Sequence, residues 1–343
     1  MTRHQFIRRI TPQLIILGVV LALNVLVFHD FFKIEFQNGR LFGNVIDVLN
    51  RGAPTALLCV GMTLVIATKG IDLSVGAIMA IAGATAASLI VDGHNWVSAL
   101  MGALAVGALC GVWNGFLVAF LRIQPIVATL VLMVAGRGIA QLITEGTILT
   151  FLDEGLIHLG AGTVLGIPTP VLIWLFLGGA VAFFVRRTAL GMLIESIGIN
   201  EASSRLAGIN SRVLLLCVYV VSGIGAAVAG VIVAADIQGA DANNAGLWLE
   251  LDAILAVVIG GNSLLGGRFS IVASLLGAMI IQSVNSVILL SGMPPELNLV
   301  IKALLILAIL VIQSPKVGHL IYILRASAPP PAVKQATPVK DMN

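Results

Sequence analysis

Long apolar runs separated by short polar or glycine-rich intervals dominate the chain. They cover about residues 11–29, 53–68, 71–91, 96–121, 125–143, 168–185, 213–235, 251–261, 270–290 and 297–313. A helix rises about 1.5 Å per residue, so roughly 20 apolar residues cross a hydrocarbon core of about 30 Å. The pattern predicts an all-α, polytopic membrane protein with about ten transmembrane helices. Two runs, 53–68 and 251–261, are too short to cross unaided. They either extend into polar flanks or are broken helices beside a cavity. Almost no gap separates the second run from the third, so the turn between them is expected partly within the membrane. Irregular backbone at that depth has to be buried in protein or line a cavity.

Composition narrows the class. Of 343 residues, 59% are hydrophobic and 10% charged, with a mean hydropathy of +1.07. Soluble chains have about 45–50% apolar and about 25% charged residues. A water-soluble enzyme, a disordered chain and a collagen-like chain are excluded. The 37 glycines suit closely packed membrane helices. Cys59, Cys110 and Cys217 lie inside apolar runs, which leaves no disulfide framework or CxxC metal site. The net charge of +3 is spread over loop ends, so it offers no nucleic-acid surface.

Basic residues set the orientation. With an inside N-terminus and ten spans, the inner segments hold Arg3, Arg8, Arg9, Lys69, Arg122, Arg186, Arg187, Arg205, Arg212, Arg268, Lys316, Arg325, Lys334 and Lys340. The outer segments hold Lys33, Arg40 and Arg51, while Arg137 and Lys302 fall within spans. Fourteen against three places both termini in the cytoplasm. The first run ends in Phe28-His29-Asp30-Phe31-Phe32 without a small-x-small cleavage site, so it is expected to be a retained span and not a signal peptide. The domain is expected to cover 1–325, followed by a polar, proline-rich, disordered cytoplasmic tail over 326–343.

Candidate chemistry is sparse. The chain has no GxxxxGK[ST] loop, HExxH or GxSxG, so it is not expected to hydrolyse ATP or act as an enzyme by itself. His4, His29, His94, His158 and His319 share no helical face. No catalytic residue, metal site or cofactor is expected. Polar groups inside or beside spans are more informative, because hydrocarbon penalises them. Arg137, within Val134-Ala135-Gly136-Arg137-Gly138, either lines a polar route or pairs with an acid or with helix-end carbonyls. Asn114 and Gln141 carry the same alternatives. Asp72, between two runs, either caps a helix start or borders a cavity. The small polar stretch 235–246, with Asp241, Asn243 and Asn244, is either an ordinary exterior loop or the outer mouth of a route for hydroxyl-rich ligands.

The inner loop 187–212 is long where other inner loops are tiny. Asn200 can cap a short helix, Glu201 and Arg205 stand at i,i+4, and Gly208 can end it. Ala202, Leu206 and Ile209 give it an apolar side. One or two helical turns do not persist alone, so the membrane domain or a partner has to hold them.

Four stretches resemble the permease subunits of bacterial ABC importers for monosaccharides, the ribose-type branch and especially the galactofuranose-type permeases. They are Gly61–Gly76, containing Asp72; Gln124–Leu130, containing Thr129; Ala189–Ile209; and Leu251–Arg268, containing Asp252. The resemblance covers roughly residues 40–315. It implies two inverted-topology halves, runs 2–5 and 7–10, in the inner membrane. It implies a periplasmic sugar-binding protein, a cytoplasmic ATP-binding subunit and a second permease, a related paralogue sooner than a second copy. The loop would couple to the ATPase through Gly191, Glu195, Gly198, Asn200, Glu201, Ala202, Arg205 and Gly208. The route would draw on Asp72, Asn114, Thr129, Arg137, Gln141, Asp241, Asn243, Asn244 and Asp252. Residues 151–167 fit no part of the resemblance. Two alternatives compete. An ion-coupled secondary transporter needs deep ionisable groups, and Arg137 is the main deep charge with no carboxylate expected at its depth. A passive channel or scaffold has no use for the 187–212 loop.

Overall fold

The computed structural model describes residues 3–27, 31–37 and 39–292, with positions 294, 297, 299–304 and 307. The expected tail 326–343 and much of the tenth run therefore lie outside the described residues.

Residues up to Gly292 form thirteen helices: α1 (Arg3–Val27), α2 (Asn44–Arg51), α3 (Ala53–Ala67), α4 (Val75–Val91), α5 (Trp96–Ala119), α6 (Pro125–Ile143), α7 (Glu154–Ala161), α8 (Thr169–Arg187), α9 (Leu190–Ile199), α10 (Glu201–Leu206), α11 (Ser211–Asp236), α12 (Leu249–Ile259) and α13 (Ile271–Leu290). Three antiparallel two-stranded ribbons supplement the expected all-α class. They are β1 (Glu35–Gln37) with β2 (Arg40–Phe42), β3 (Leu149–Thr150) with β6 (Gly239–Ala240), and β4 (Thr163–Val164) with β5 (Ile167–Pro168). All lie in the polar intervals, where strand pairing satisfies backbone groups that no helix satisfies.

Five helices among the described residues are long and apolar enough to cross a bilayer: α5, α6, α8, α11 and α13. A sixth candidate is the pair α2 and α3, bent by 44°. The short helices α3, α4 and α12 lie inside the protein. Every residue of α3 except Pro54 is buried, as are most of α4 and α12. A helix wrapped by protein need not span the hydrocarbon by itself.

The centre is α11. On α5, the small residues Ala99, Ala103, Gly107, Gly111, Gly115 and Ala119 recur every fourth position and are all buried. Every fourth residue of a helix lies on one stripe, and this stripe lies against α11. A Cβ on Gly111 would stand 2.5 Å from Tyr219 O and 2.6 Å from Val220 Cα. Large side chains such as Met101, Leu109 and Trp113 leave α5 on exposed faces. On α11's other sides, Gly61 of α3 packs on Ser222, and Gly83 of α4 packs on Gly230 and Ala234.

The loop 187–212 differs from the single helix expected near 200–208. Two helices form there, α9 and α10, and α10 spans only Glu201–Leu206. The sequence carries no start signal for α9, whose N-terminus has no side-chain cap. Packing against α3 and α8 supplies what a ten-residue helix lacks alone.

Candidate functional site

The polar side chains singled out in the sequence gather in three places. The first is the turn between α3 and α4. Asp72, 1% exposed, accepts hydrogen bonds on Oδ1 from the Ser74 N–H (3.1 Å) and Ser74 Oγ (2.6 Å), and on Oδ2 from Ser222 Oγ (2.8 Å). Asn114 of α5 donates to Ser74 Oγ at 2.8 Å. Thr129 of α6 accepts from the Leu73 N–H at 3.2 Å and contacts Pro125 O at 3.0 Å. Irregular backbone is thus tied to three helices by side chains, as its burial requires. The turn lies deep: Ser222 is the twelfth residue of α11, roughly 16 Å along it. The helix cap offered for Asp72 does not form, since α4 starts after Ser74 without a side-chain cap. Asp72 instead joins the turn to α11.

Two residues of this cluster, Ser74 and Ser222, were not singled out in the sequence. Ser74 had a signal, since it stands two residues after Asp72, where an Asx turn places its partner. Ser222 had none, being one hydroxyl in a long apolar run. A second buried cluster was also silent. Asn262 Nδ2 donates to Ser274 Oγ (2.8 Å), Asn262 Oδ1 accepts from the Ser270 N–H (2.7 Å), and the Thr63 and Ser274 hydroxyls lie 2.7 Å apart.

The second place is the segment between α11 and α12. Arg137 Nη1 donates to the carbonyls of Ala245 (2.5 Å) and Ala242 (3.2 Å). Carbonyl pairing is thus observed, but with carbonyls of the turn before α12 and not of a helix end. Gln141 Nε2 donates to Asn243 Oδ1 at 2.7 Å. Asp241 accepts from the backbone of Asn243 and Asn244 and from Asn244 Nδ2 at 2.7 Å. The Asn244 side-chain bond foremost, with the backbone bonds and nearby Arg137, holds the half-buried Asp241 carboxyl below the usual carboxylate range, and burial opposes this only in part. Arg137 and Gln141 thus bring α6 and the 241–245 segment together.

From there the chain dips inward. A Cβ on Gly76 of α4 would stand 2.5 Å from Glu250 Oε2, so α12 begins beside the start of α4. Asp252, one turn along α12, is buried, and its neighbour Ala253 accepts from Cys59 Sγ at 3.6 Å. Carboxylates also lie inside the protein. Asp72 and Glu250 are both buried, the first accepting from three donors and the second with its Oε2 lacking a hydrogen-bond partner among the described residues. Glu250 was missed because it reads as the polar edge of a short apolar run.

The third place is the loop α9–α10. Asn200 caps α10, its Oδ1 accepting from the Ser203 N–H at 3.0 Å. Gly208, at φ +85°, ends it, with the Ile209 N–H bonded to Ser204 O. Both fit expectation. The Glu201–Arg205 ion pair does not form among the described residues, because Glu201 Oε1 accepts from Ser211 Oγ at 2.9 Å and ties α10 to α11. Gly198 lies inside α9, where a Cβ would collide with Ala67 O and stand 2.5 Å from Gly267 N. Close approach, not an unusual backbone conformation, is its requirement. Lys69 Nζ donates to Ile199 O at 2.9 Å, and the Gly267 N–H to Ala67 O at 2.9 Å. Gly191 likewise packs on Val185 O. Glu195 lines a cavity of about 350 Å³ with Arg186 and Ser270. Met192, Ile199, Ala202 and Leu206 are exposed, so the anchored loop presents an apolar face outward. Among the described residues no cluster of His, Cys, Asp or Glu is placed to hold a metal ion.

A family model described as the permease component of branched-chain amino acid transport systems matches residues 44–310. The chain is 58% identical to the galactofuranose transporter permease of Escherichia coli, over 90% of this chain and 91% of that one. It is 41% identical to the fructose import permease of Bifidobacterium longum, over 89% and 88%. It is 38% identical to the ribose import permease of Escherichia coli, over 88% and 93%. No solved structure matches it.

Proposed function

The chain belongs to the permease-component family of branched-chain amino acid transport systems, and from that premise we propose that it is the transmembrane subunit of an ATP-driven monosaccharide importer. The observation that carries this is 58% identity, across nine-tenths of both chains, to a galactofuranose permease, with fructose and ribose permeases further out. The cargo is a galactofuranose-like hexose or a pentose. It is delivered by a periplasmic binding protein and moved across the inner membrane while a cytoplasmic subunit hydrolyses ATP. A related second permease completes the route.

In this reading about ten spans form two inverted halves within 1–325, both termini are cytoplasmic, and 326–343 is a tail. The 187–212 loop is the contact to the ATPase. Its support is physical: α9 is anchored through Gly198 and Lys69, while Met192, Ile199 and Leu206 face outward. An anchored, exposed apolar face transmits a push better than a free loop. Asp241, Asn243 and Asn244 border the outer mouth, with Arg137 and Gln141 holding them. Asp72, Asn114 and Thr129 set the wall of the route by fixing the broken turn, and Asp252 fixes α12. Crosslinking from Ser203→Cys to the co-purified ATPase tests the loop's role. A crosslinked product at one-to-one stoichiometry is expected. A loop freely labelled in the assembled complex, with no crosslink, would remove it.

A further inference from the structure

A cavity of about 410 Å³ opens beside α10, between the ends of α3 and α5 and the start of α6. Its lining includes Lys69, Arg122 and Arg205 against a single carboxylate, Glu201, which is already engaged by Ser211. The Arg122 and Arg205 side chains form no hydrogen bond or ion pair among the described residues. Lys69 and Arg122 are also two of the few non-glycine residues in left-handed backbone, at φ +66° and +55°. Lys69 occupies the position after the α3 cap where glycine is favoured, with the Gly70 N–H bonded to Val65 O, and Arg122 lies two residues beyond the α5 cap, with the Ile123 N–H bonded to Leu117 O. A basic side chain at a helix C-terminus suits the helix dipole, but that accounts for neither their convergence on one cavity nor what lies at its base. There Tyr219, 1% exposed, carries a hydroxyl with no hydrogen-bond partner. It reaches the cavity wall at Gly70, whose Cβ would stand 2.7 Å from it. A buried hydroxyl left unbonded is costly. The start of α6, with Pro125 in its first turn and no side-chain cap, turns free N–H groups and its positive dipole end to the same space.

We propose that this cavity binds a phosphate group, held by the guanidinium groups of Arg122 and Arg205 and by Lys69, with the Tyr219 hydroxyl donating to it at the base. Guanidinium pairs and helix N-termini are the groups that recognise phosphate. A free phosphate or phosphate ester and a phospholipid headgroup offer the same chemistry. Bound there, the anion would brace α10 against α5 and α6, and its presence would stiffen the loop that α10 belongs to.

The test uses the full chain in phosphate-free maltoside detergent micelles stripped of lipid, without or with added phosphatidylglycerol, at constant ionic strength. It needs neither the ATPase nor sugar, so its failure leaves the importer assignment standing. Equilibrium binding of labelled inorganic phosphate in the lipid-free micelles, saturating at one site per chain, identifies a free anion. Retention of one phosphatidylglycerol per chain, without saturable phosphate binding, identifies a headgroup. In either case the double variant Arg122→Gln, Arg205→Gln should weaken binding about tenfold or more, and Tyr219→Phe, which keeps the ring's packing, by about two- to tenfold. Binding of neither ligand, or binding unchanged in both variants, would overturn the proposal.

Discussion

Gly198 is glycine because two backbones meet at it. Since a Cβ there would collide with Ala67 O, Gly198→Ala should be nearly as damaging as Gly198→Val, each costing about 1–3 kcal/mol in local packing. Sugar-stimulated ATP hydrolysis should fall in both while membrane insertion persists. A neutral alanine variant would return the requirement to β-branching and contradict the packing account. Asp72 gives a complementary case. Asp72→Ala removes the acceptor of two hydroxyls and one N–H and should destabilise by about 1–3 kcal/mol or more. Asp72→Asn retains one carbonyl acceptor and should lose less, read as a thermal midpoint in detergent. Equal losses would mean that the charge matters more than the bonds. Both residues were legible as special positions, but their partners were not. Ala67, Gly267 and Ser222 lie far along the chain and carry no signal in their own types. Glu201 shows the same limit, because an i,i+4 partner is visible in sequence and Ser211, reached only by folding, is not.

Among the elements, α5 carries a regularity that the sequence reading did not single out. Its small residues recur every fourth position, and the structure uses that stripe against α11. Gly111→Val should force α5 from α11 and lower stability by about 1–3 kcal/mol, seen as a lower thermal midpoint. Gly138→Val, where nothing lies within 4 Å, is the matched control and should leave the midpoint unchanged. Equal effects would place the critical contact elsewhere. The short helices were legible as an anomaly of length, and burial resolves it. An apolar run of eleven or fifteen residues cannot say whether protein or lipid surrounds it, whereas α3 and α12 sit in protein. The helix α9 escaped notice because tertiary packing, not a cap, holds it.

For the whole molecule, composition alone excluded a soluble protein, and charge bias supplied an orientation that helix geometry does not. In a background lacking the three native cysteines, Leu165→Cys, 97% exposed, should react with an impermeant thiol reagent in intact cells. Ser203→Cys should react only after permeabilisation. The reverse pattern would invert the topology. The central claim is that this chain passes a monosaccharide inward on energy from a partner's ATP. It is tested most directly by reconstituting the chain with its second permease and ATP-binding subunit in proteoliposomes, adding the binding protein and labelled galactofuranose or a pentose outside, and enclosing ATP inside with no ion gradient. The account predicts sugar accumulation that requires both ATP and the binding protein and is indifferent to ionophores. Accumulation without ATP on an imposed ion gradient, or equilibration needing neither, would contradict it.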